Sequence, residues 1–337
     1  MLRARRRATI VRAAKFTALA TLRLSLNNLL HGDPQPMVGE CNSSMSGAND
    51  RRAKLGLAAA QFGLDYAVAN PRGRSPEQEV ADILQIGAKS GVSVLDTVIG
   101  GRSERVIGEL MPRPCPFQMV VKTARCDRGP DHVEAEARAS LARLGIDHAR
   151  TLLVEQAGDL FSPHGAALWD RMKKLRDEGL FDRIGVSVYA SDDPVGVARR
   201  FRPDIIQAPA SLLDQRLIVN GALAELAEMD IEVHLRSIFL QGLLFLPPDR
   251  VPAPLANAAR GLSRVRRMIA EGRSDPLQAA LGFALARPEA ATVIVGVTTA
   301  AELQAVVAAA ASPPPDLDWD EMALEDPVAL DGRWAAA

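Results

Sequence analysis

The feature that most constrains the fold is a regular alternation of short apolar runs with longer helical patterns, which starts near Lys54. The runs are rich in Val, Ile and Leu, as is typical of parallel strands buried on both faces. Between the runs, apolar residues recur every three or four positions, which predicts amphipathic helices. The predicted strands are residues 55–61, 92–96, 118–123, 150–156, 183–189, 204–209, 232–237 and 291–297.

Eight consecutive strand–helix units predict an α/β fold, the (β/α)8 TIM barrel. A doubly wound open sheet is the alternative, but its usual GxGxxG turn does not occur in the chain. We assign residues 54–312 to the barrel. The acidic, turn-rich residues 313–337 are predicted to pack on the barrel as a C-terminal tail, and residues 1–53 are a separate extension.

The N-terminal extension, residues 1–53, begins with a basic stretch that has no acidic residue before Asp33. This composition is typical of a transit peptide or of a helix on a membrane surface. A disordered extension, or translation from Met37 or Met45, is the preferred interpretation because composition is the only argument for targeting. No apolar run reaches the roughly 20 residues that span a bilayer. We expect a cytoplasmic protein without a membrane span, with targeting as the alternative.

Charge and cysteine spacing narrow the classes of function. The formal net charge is −1, so no global basic field favours nucleic acid. Cys41, Cys115 and Cys126 show no CxxC or Cys/His spacing, so neither a disulfide framework nor a metal site is predicted. We expect a small-molecule substrate and not nucleic acid as the partner, and the sequence leaves the oligomeric state undecided.

The chemistry of a barrel of this kind lies at the carboxyl ends of its strands. Asp96 ends the second predicted strand, and Lys122 lies at the end of the third. A carboxylate can hold an ammonium group in place, and the ammonium then stabilises an anion that forms beside it. The alternative is an ion pair that only fixes the rim of the barrel.

Several colinear segments resemble the aldo/keto reductase family: KLGLAAAQFGLDYAVAN, RIGVSVY, DIIQAPASLLDQRL, EVHLRSIFLQGLL and VIVGVTTAAEL. The resemblance covers residues 54–334 and points to a bacterial branch that often accompanies polysaccharide-biosynthesis enzymes. It implies nicotinamide-dependent reduction of a carbonyl, with sugar-derived substrates suggested by that branch.

In that family a Tyr donates a proton, a Lys lowers the pKa of the tyrosine, an Asp holds the Lys, and a His orients the substrate. The resemblance assigns the Asp to Asp96 and the Lys to Lys122. The tyrosine position falls at Gly100–Gly101 in DTVIGGRSE or in a one-residue deletion beside them, and the histidine position is Glu155. We therefore predict a catalytic set of Asp96, Lys122 and Glu155, with Glu155 as the replacement acid if burial raises its pKa.

The resemblance also implies a nicotinamide cofactor, and it assigns Ser187 and Gln207 to the carboxamide. The other predicted cofactor-binding residues are Ser237, Gln241, Gly242, Gly296, Thr298 and Thr299. The two threonines precede a helix, where an anion is favoured. No Lys or Arg occurs between Arg287 and Arg333, where family members that prefer NADPH place a basic residue. The choice between NADPH and NADH is left open.

Two functions follow for the barrel, and a third for the extension. The first is an active oxidoreductase with an incomplete catalytic tetrad, in which Tyr66 or His164 are further candidates for the missing groups. The alternative is a catalytically inactive barrel that binds a nucleotide or sugar ligand. A partner-binding protein that uses the basic extension is the third class.

Overall fold

A computed structural model of the chain describes residues 50–64, 70 and 73–331. Eight parallel strands close into a barrel in sequence order, with the eighth strand paired to the first. This confirms the TIM barrel and excludes the open doubly wound sheet. The N-terminal extension up to residue 49 and the loop that contains Tyr66 lie outside the described residues.

The strands alternate with helices along the described chain. The strands are β1 Leu55–Ala58, β2 Val94–Asp96, β3 Gln118–Lys122, β4 Ala149–Val154, β5 Phe181–Ser187, β6 Ile205–Pro209, β7 Glu232–Arg236 and β8 Ala290–Gly296. The helices are α1 Glu77–Lys89, α2 Arg102–Leu110, α3 Pro130–Leu144, α4 Gly165–Asp177, α5 Pro194–Phe201, α6 Arg216–Val219, α7 Ala222–Glu228, α8 Ala258–Glu271, α9 Pro276–Leu285, α10 Ala300–Ala311 and α11 Pro327–Leu330.

The first strand is shorter than predicted. It ends at Ala58, and a short 3-10 helix, Ala60–Phe62, replaces the expected continuation to Gln61. Ala60, Gln61 and Phe62 are all buried. An apolar run indicates that its residues are buried, but a buried turn contains such a run as readily as a buried strand does. The run therefore predicted a strand longer than the one observed.

The core has an outer and an inner part. The larger cluster packs the outer faces of the strands against the surrounding helices. A separate small cluster contains one residue each from β2, β3, β4 and β6: Val94, Val120, Leu153 and Ile205. Because side chains alternate between the two faces of a strand, this inner cluster fills the barrel interior.

The C-terminal residues that the structure describes contact the loop after β6. The backbone N–H of Leu324 donates to the carbonyl of Leu213 at 2.9 Å. The side-chain amide of Gln215 donates to the carbonyl of Trp319 at 2.6 Å. None of the described helices is long and apolar enough to cross a membrane.

Candidate active site

Four polar side chains stand above the inner apolar cluster. Each lies two residues beyond a member of that cluster, so the alternation of a strand places it on the same interior face. They are Asp96, Lys122, Glu155 and Gln207. The structure thus brings all three predicted catalytic residues together with one predicted cofactor residue at the carboxyl end of the barrel.

The Lys122 ammonium group is the centre of this cluster. Its Nζ lies 2.9 Å from Oδ1 of Asp96, and it donates to Oδ2 at 3.1 Å. It also donates to Oε1 of Gln207 at 2.9 Å. Glu155 lies further away, with its Oε2 3.7 Å from Nζ. Acceptors on β2 and β6, and a carboxylate in the loop after β4, therefore surround the ammonium group.

The charges around Lys122 decide its protonation. Burial by itself lowers the pKa of Lys122, but the carboxylates of Asp96 and Glu155 outweigh burial and raise that pKa above its ordinary value. The smaller opposing effect of Arg236 does not reverse the direction. Lys122 is consequently a fixed cation at neutral pH.

Glu155 differs from the buried acid expected at its position. Its side chain is 39% exposed, whereas that of Asp96 is 9% exposed. The backbone N–H of Glu155 donates to Oγ1 of Thr123 at 3.3 Å, which joins the loops after β3 and β4. Glu155 is therefore placed between the ammonium and solvent, and its role as a proton donor stays a prediction.

The loop after β2 has a backbone that suits glycine. Gly100 and Gly101 have φ values of 132° and 80°, which side-chain-bearing residues rarely adopt. Apart from Gly100 itself and its two chain neighbours, no described residue has a heavy atom within 4 Å of the position that a Cβ of Gly100 would take. Of the other candidates, His164 is exposed at the start of α4. Neither Gly100 nor Gly101 can donate a proton from a side chain.

The predicted carboxamide contacts are adjacent. Ser187 and Gln207 are register partners on β5 and β6, and both are buried. The Nε2 of Gln207 is buried and has no hydrogen-bond partner among the described residues. Buried polar groups are nearly always paired in folded proteins, so a free amide donor at the barrel mouth fits a ligand with an acceptor such as a carboxamide oxygen.

The loop after β7 is conformationally unusual. Ser237, Leu240 and Gln241 have φ values of 60°, 47° and 56°, and Gly242 follows at 83°. Such a run of left-handed residues is costly and is found mainly at functional sites. Left-handed backbone also turns successive N–H groups toward one side, as in anion-binding nests. Three of the predicted cofactor residues, Ser237, Gln241 and Gly242, lie in this segment.

Gly296 is close to a buried residue that the sequence did not assign to the site, Gln61. A Cβ on Gly296 would lie 3.0 Å from Nε2 of Gln61. The Oε1 of Gln61 is buried and has no hydrogen-bond partner among the described residues. Gln61 ends the first predicted strand, but it lies in the 3-10 helix after β1 and was not among the predicted site residues.

The N-terminus of α10 already holds two carboxylates. Glu302 accepts hydrogen bonds from the N–H of Thr298 at 2.7 Å and from its hydroxyl. Glu79 accepts from the N–H of Ala300 at 2.7 Å, and the N–H of Glu302 donates to Oγ1 of Thr299. The free anion site predicted at these threonines is thus occupied by acidic side chains, so an added phosphate would meet negative charge.

Arg236, at the end of β7, is a second cation near the mouth. Its guanidinium group lies 4.5 Å from the ring centroid of Tyr189, in cation–π geometry. It also donates to the carbonyl of Val188 at 2.8 Å. Tyr189 follows β5 and Arg236 ends β7, so only the folded barrel brings them together.

Nowhere in the described part of the chain do three His, Cys, Asp or Glu side chains form a potential metal site.

The closed barrel with a lysine–carboxylate pair at the carboxyl ends of its strands defines the class, a TIM-barrel protein with a polar site at its mouth. Residues 54–323 match the aldo/keto reductase family. The match extends over more than half of the chain, and the chain belongs to this family.

Individual relatives share less than a third of their aligned residues with this chain. The NADH-specific methylglyoxal reductase of Escherichia coli is 28% identical over 182 residues, which cover 46% of this chain and 55% of the relative. An aldo-keto reductase of Mycolicibacterium smegmatis is 26% identical over 126 residues, or 36% of this chain and 44% of the relative. The chain spans about half the length of the curated relatives it matches.

A solved structure supports the fold. An aldo-keto reductase of Bacillus halodurans, in its holo form, is 20% identical and has a TM-score of 0.64. The similarity covers 80% of this chain and 89% of that structure. At this level of identity the comparison concerns the fold alone.

Proposed function

We propose that this chain is a nicotinamide-dependent reductase that acts on a carbonyl group. The observation that carries the proposal is the buried Lys122 ammonium, held by Asp96 and Gln207 at the carboxyl ends of the strands. A fixed cation in a site shielded from water stabilises an oxygen on which negative charge develops. When bound, the nicotinamide supplies the hydride.

Reduction of a carbonyl also requires a proton, and the residues that usually supply it in this family are not retained. By resemblance, the tyrosine position falls at Gly100–Gly101 or in a deletion beside them, and the histidine position falls at Glu155, so the catalytic tetrad is incomplete. A missing general acid typically lowers a rate about 10²–10⁴-fold. The site retains the cation of Lys122, and the exposed side of Glu155 offers contact with solvent protons. We therefore propose slow turnover, with Glu155 as the residue that links the site to water.

NADH is the proposed cofactor rather than NADPH. The support is the pair Glu79 and Glu302, whose carboxylates hold the N-terminal N–H groups of α10. A carboxylate accepts a hydrogen bond from a ribose hydroxyl but repels a phosphate. The name of the Escherichia coli relative, an NADH-specific reductase, agrees with this choice.

Small aldehydes are the proposed first substrates to assay, with sugar-derived carbonyls next. The Escherichia coli relative is named for methylglyoxal, and the resemblance to a polysaccharide-associated branch suggests sugars.

We propose that the protein acts in the cytoplasm, with targeting by residues 1–53 as the alternative.

A catalytically inactive barrel that binds a nucleotide or sugar ligand is the second candidate. The glycine-only backbone at Gly100–Gly101 favours it, because a tyrosine placed there would be strained.

The test is a fluorescence titration of the full chain with NADH and NADPH, followed by turnover with small aldehydes. Micromolar binding of NADH and slow aldehyde-dependent oxidation of NADH, abolished in Lys122→Met, are expected. Binding without oxidation in any assay supports the inactive barrel. Turnover that Lys122→Met leaves unchanged contradicts the proposed role of Lys122.

A further inference from the structure

An arginine and an aspartate join the loops after β3 and β4. The Nε of Arg125 donates to both carboxylate oxygens of Asp159 at 3.2 Å, and its Nη2 lies 3.1 Å from Oδ1. The Asp159 side chain is 8% exposed and also accepts from the N–H of Cys126 at 3.1 Å. Asp159 is thus anchored, and it fixes the orientation of Arg125.

The guanidinium group of Arg125 is held by one edge only. A guanidinium carries five N–H donors in a planar fork, and two N–H groups along one edge match the two oxygens of a carboxylate. Asp159 occupies the Nε–Nη2 edge, whereas Nη1 makes no hydrogen bond to any described residue. The side chain is 61% exposed, so the other edge is open to an anion.

Arg125 lies on the loop that follows β3, at the end of the barrel that carries the candidate active site. It follows Lys122 by three residues, so the Cα atoms of the two residues are at most about 10 Å apart. Asp159 follows Glu155 on the next loop, and the bond from the N–H of Glu155 to Thr123 ties the two loops together. Loops after the strands of such a barrel commonly select the substrate.

Charge balance favours a singly charged group at this point. The acidic and basic side chains on these two loops and the neighbouring strand ends are four acids and four bases: Asp96, Asp127, Glu155, Asp159, Lys122, Arg125, Arg128 and Arg236. A ligand that brings one negative charge to Arg125 is therefore better tolerated than a doubly charged phosphate.

We propose that Arg125, oriented by Asp159, is a specificity-determining residue that binds a carboxylate on the substrate. The preferred substrates are short aldehydes or ketones that carry a carboxylate. This inference rests on the proposed reductase function, because it places the carbonyl beside Lys122.

The first experiment measures binding, which does not depend on turnover. Calorimetry compares 4-oxobutanoate with butanal, a similar aldehyde without a carboxylate, on the full chain saturated with NAD⁺. We expect 4-oxobutanoate to bind at least about 10-fold more tightly, since a hydrogen bond to a charged group is worth about 10- to 100-fold in affinity. In Arg125→Gln this preference is lost, whereas binding of butanal is unchanged.

Two variants serve as controls. Arg128 is an exposed arginine on the same loop that contacts His132 at 3.4 Å, and Arg128→Gln is expected to keep the preference. Asp159→Asn keeps Arg125 but removes the charge that orients it, so a partial loss of the preference is expected. Circular dichroism confirms that each variant is folded before binding is compared.

The outcomes separate this inference from the proposed function. Equal affinities for the two aldehydes, no binding of 4-oxobutanoate, or an unchanged preference in Arg125→Gln overturns the carboxylate site. Oxidation of NADH is then assayed with both aldehydes. If the carboxylate preference is found but neither aldehyde is reduced, the site stands and the reductase is overturned. If butanal is reduced and the preference is absent, the reductase stands and the site is overturned.

Discussion

Lys122 owes its position to acceptors on β2 and β6 and a nearby carboxylate after β4. A buried ammonium loses the hydration of water, and the Asp96 carboxylate at 2.9 Å and the Gln207 amide oxygen at 2.9 Å replace it. The cation is tolerated only as long as these partners are present. The same residues therefore bear on both stability and chemistry.

Removing Asp96 tests this dependence. In Asp96→Ala, Lys122 becomes a buried cation without its main counter-charge, and the free energy of unfolding is expected to fall by about 3–5 kcal/mol. Glu155→Ala is the control. Its side chain is 39% exposed and lies 3.7 Å from Nζ, so its loss is expected to cost about 1 kcal/mol or less. Urea unfolding of both variants measures the difference, and equal losses would contradict this account.

Residues on strands were predictable, whereas residues that meet through loops were not. Asp96, Lys122 and Gln207 follow apolar runs, and the period of a strand sends them to the interior. The contact of Arg236 with Tyr189, and that of Arg125 with Asp159, join segments far apart in sequence. No local pattern specifies such a contact, because it depends on how neighbouring loops lie over the barrel.

Among the elements, helices α2 and α3 approach each other with their backbones in near contact. A Cβ on Gly108, in α2, would lie 2.3 Å from the carbonyl oxygen of Arg143 in α3. The neighbouring ion pair of Arg143 with the buried Glu104 spans the same two helices at 2.7 Å. The absence of a side chain at Gly108 lets this pair form.

Gly108→Ala is therefore expected to destabilise the protein, although Ala is the better helix former by about 1 kcal/mol. The added methyl group meets backbone atoms that cannot rotate away, which typically costs about 1–3 kcal/mol. Gly158→Ala is the matched control, because no other described residue, apart from its own neighbours in the chain, comes within 4 Å of its Cβ position. Thermal unfolding compares the two, and equal melting temperatures would be inconsistent with a backbone clash.

The N-terminus of α10 gives a second prediction at this scale. Replacing both Glu79 and Glu302 by Gln removes the negative charges that hold its N–H groups. The affinity for NADPH relative to NADH is expected to rise about 10-fold, since like charges placed together are strongly disfavoured. Fluorescence titration measures the ratio. Glu77→Gln, on an exposed residue of α1, is the control and is expected to leave the ratio unchanged.

Across the whole barrel, Glu232 connects three strands. On β7 it accepts a hydrogen bond from His234 at 2.9 Å, and it pairs with Arg150 of β4 at 2.9 Å and Arg183 of β5 at 3.2 Å. The hydrogen bond from His234 is the largest cause that lowers the pKa of Glu232 to about 2, and both arginines act in the same direction. The ionised carboxylate is therefore strongly favoured by folding.

This pKa sets a pH dependence of stability. Because folding lowers the pKa of Glu232 from 4.5 to about 2, its stabilising contribution is complete above about pH 4.5 and is lost as the pH falls toward 2. Glu232→Gln is expected to be less stable at neutral pH and to show a shallower loss of stability between pH 4.5 and 2. Urea unfolding across this window tests it. An unchanged slope would contradict the linkage, and Glu228→Gln, at an exposed residue, is the control.

The TIM barrel was predictable from the sequence, because few architectures contain eight buried strands that alternate regularly with helices. The strand ends were less certain, as Ala60–Phe62 illustrates. The carboxylates at the N-terminus of α10 were also unexpected. Thr298 and Thr299 indicated free N–H groups, but Glu79 reaches them from α1, which is adjacent only in the folded barrel.

The pairing of β1 with β8 has a consequence for synthesis. A strand that begins at Leu55 finds its last partner only when the strand that begins at Ala290 has left the ribosome. Translation adds about 5–20 residues per second, so one edge of β1 stays unpaired for a time on the order of tens of seconds. An open edge of this kind can pair with another chain. The growing polypeptide thus passes through a period in which a chaperone, or fast burial by the helices already made, protects it from aggregation.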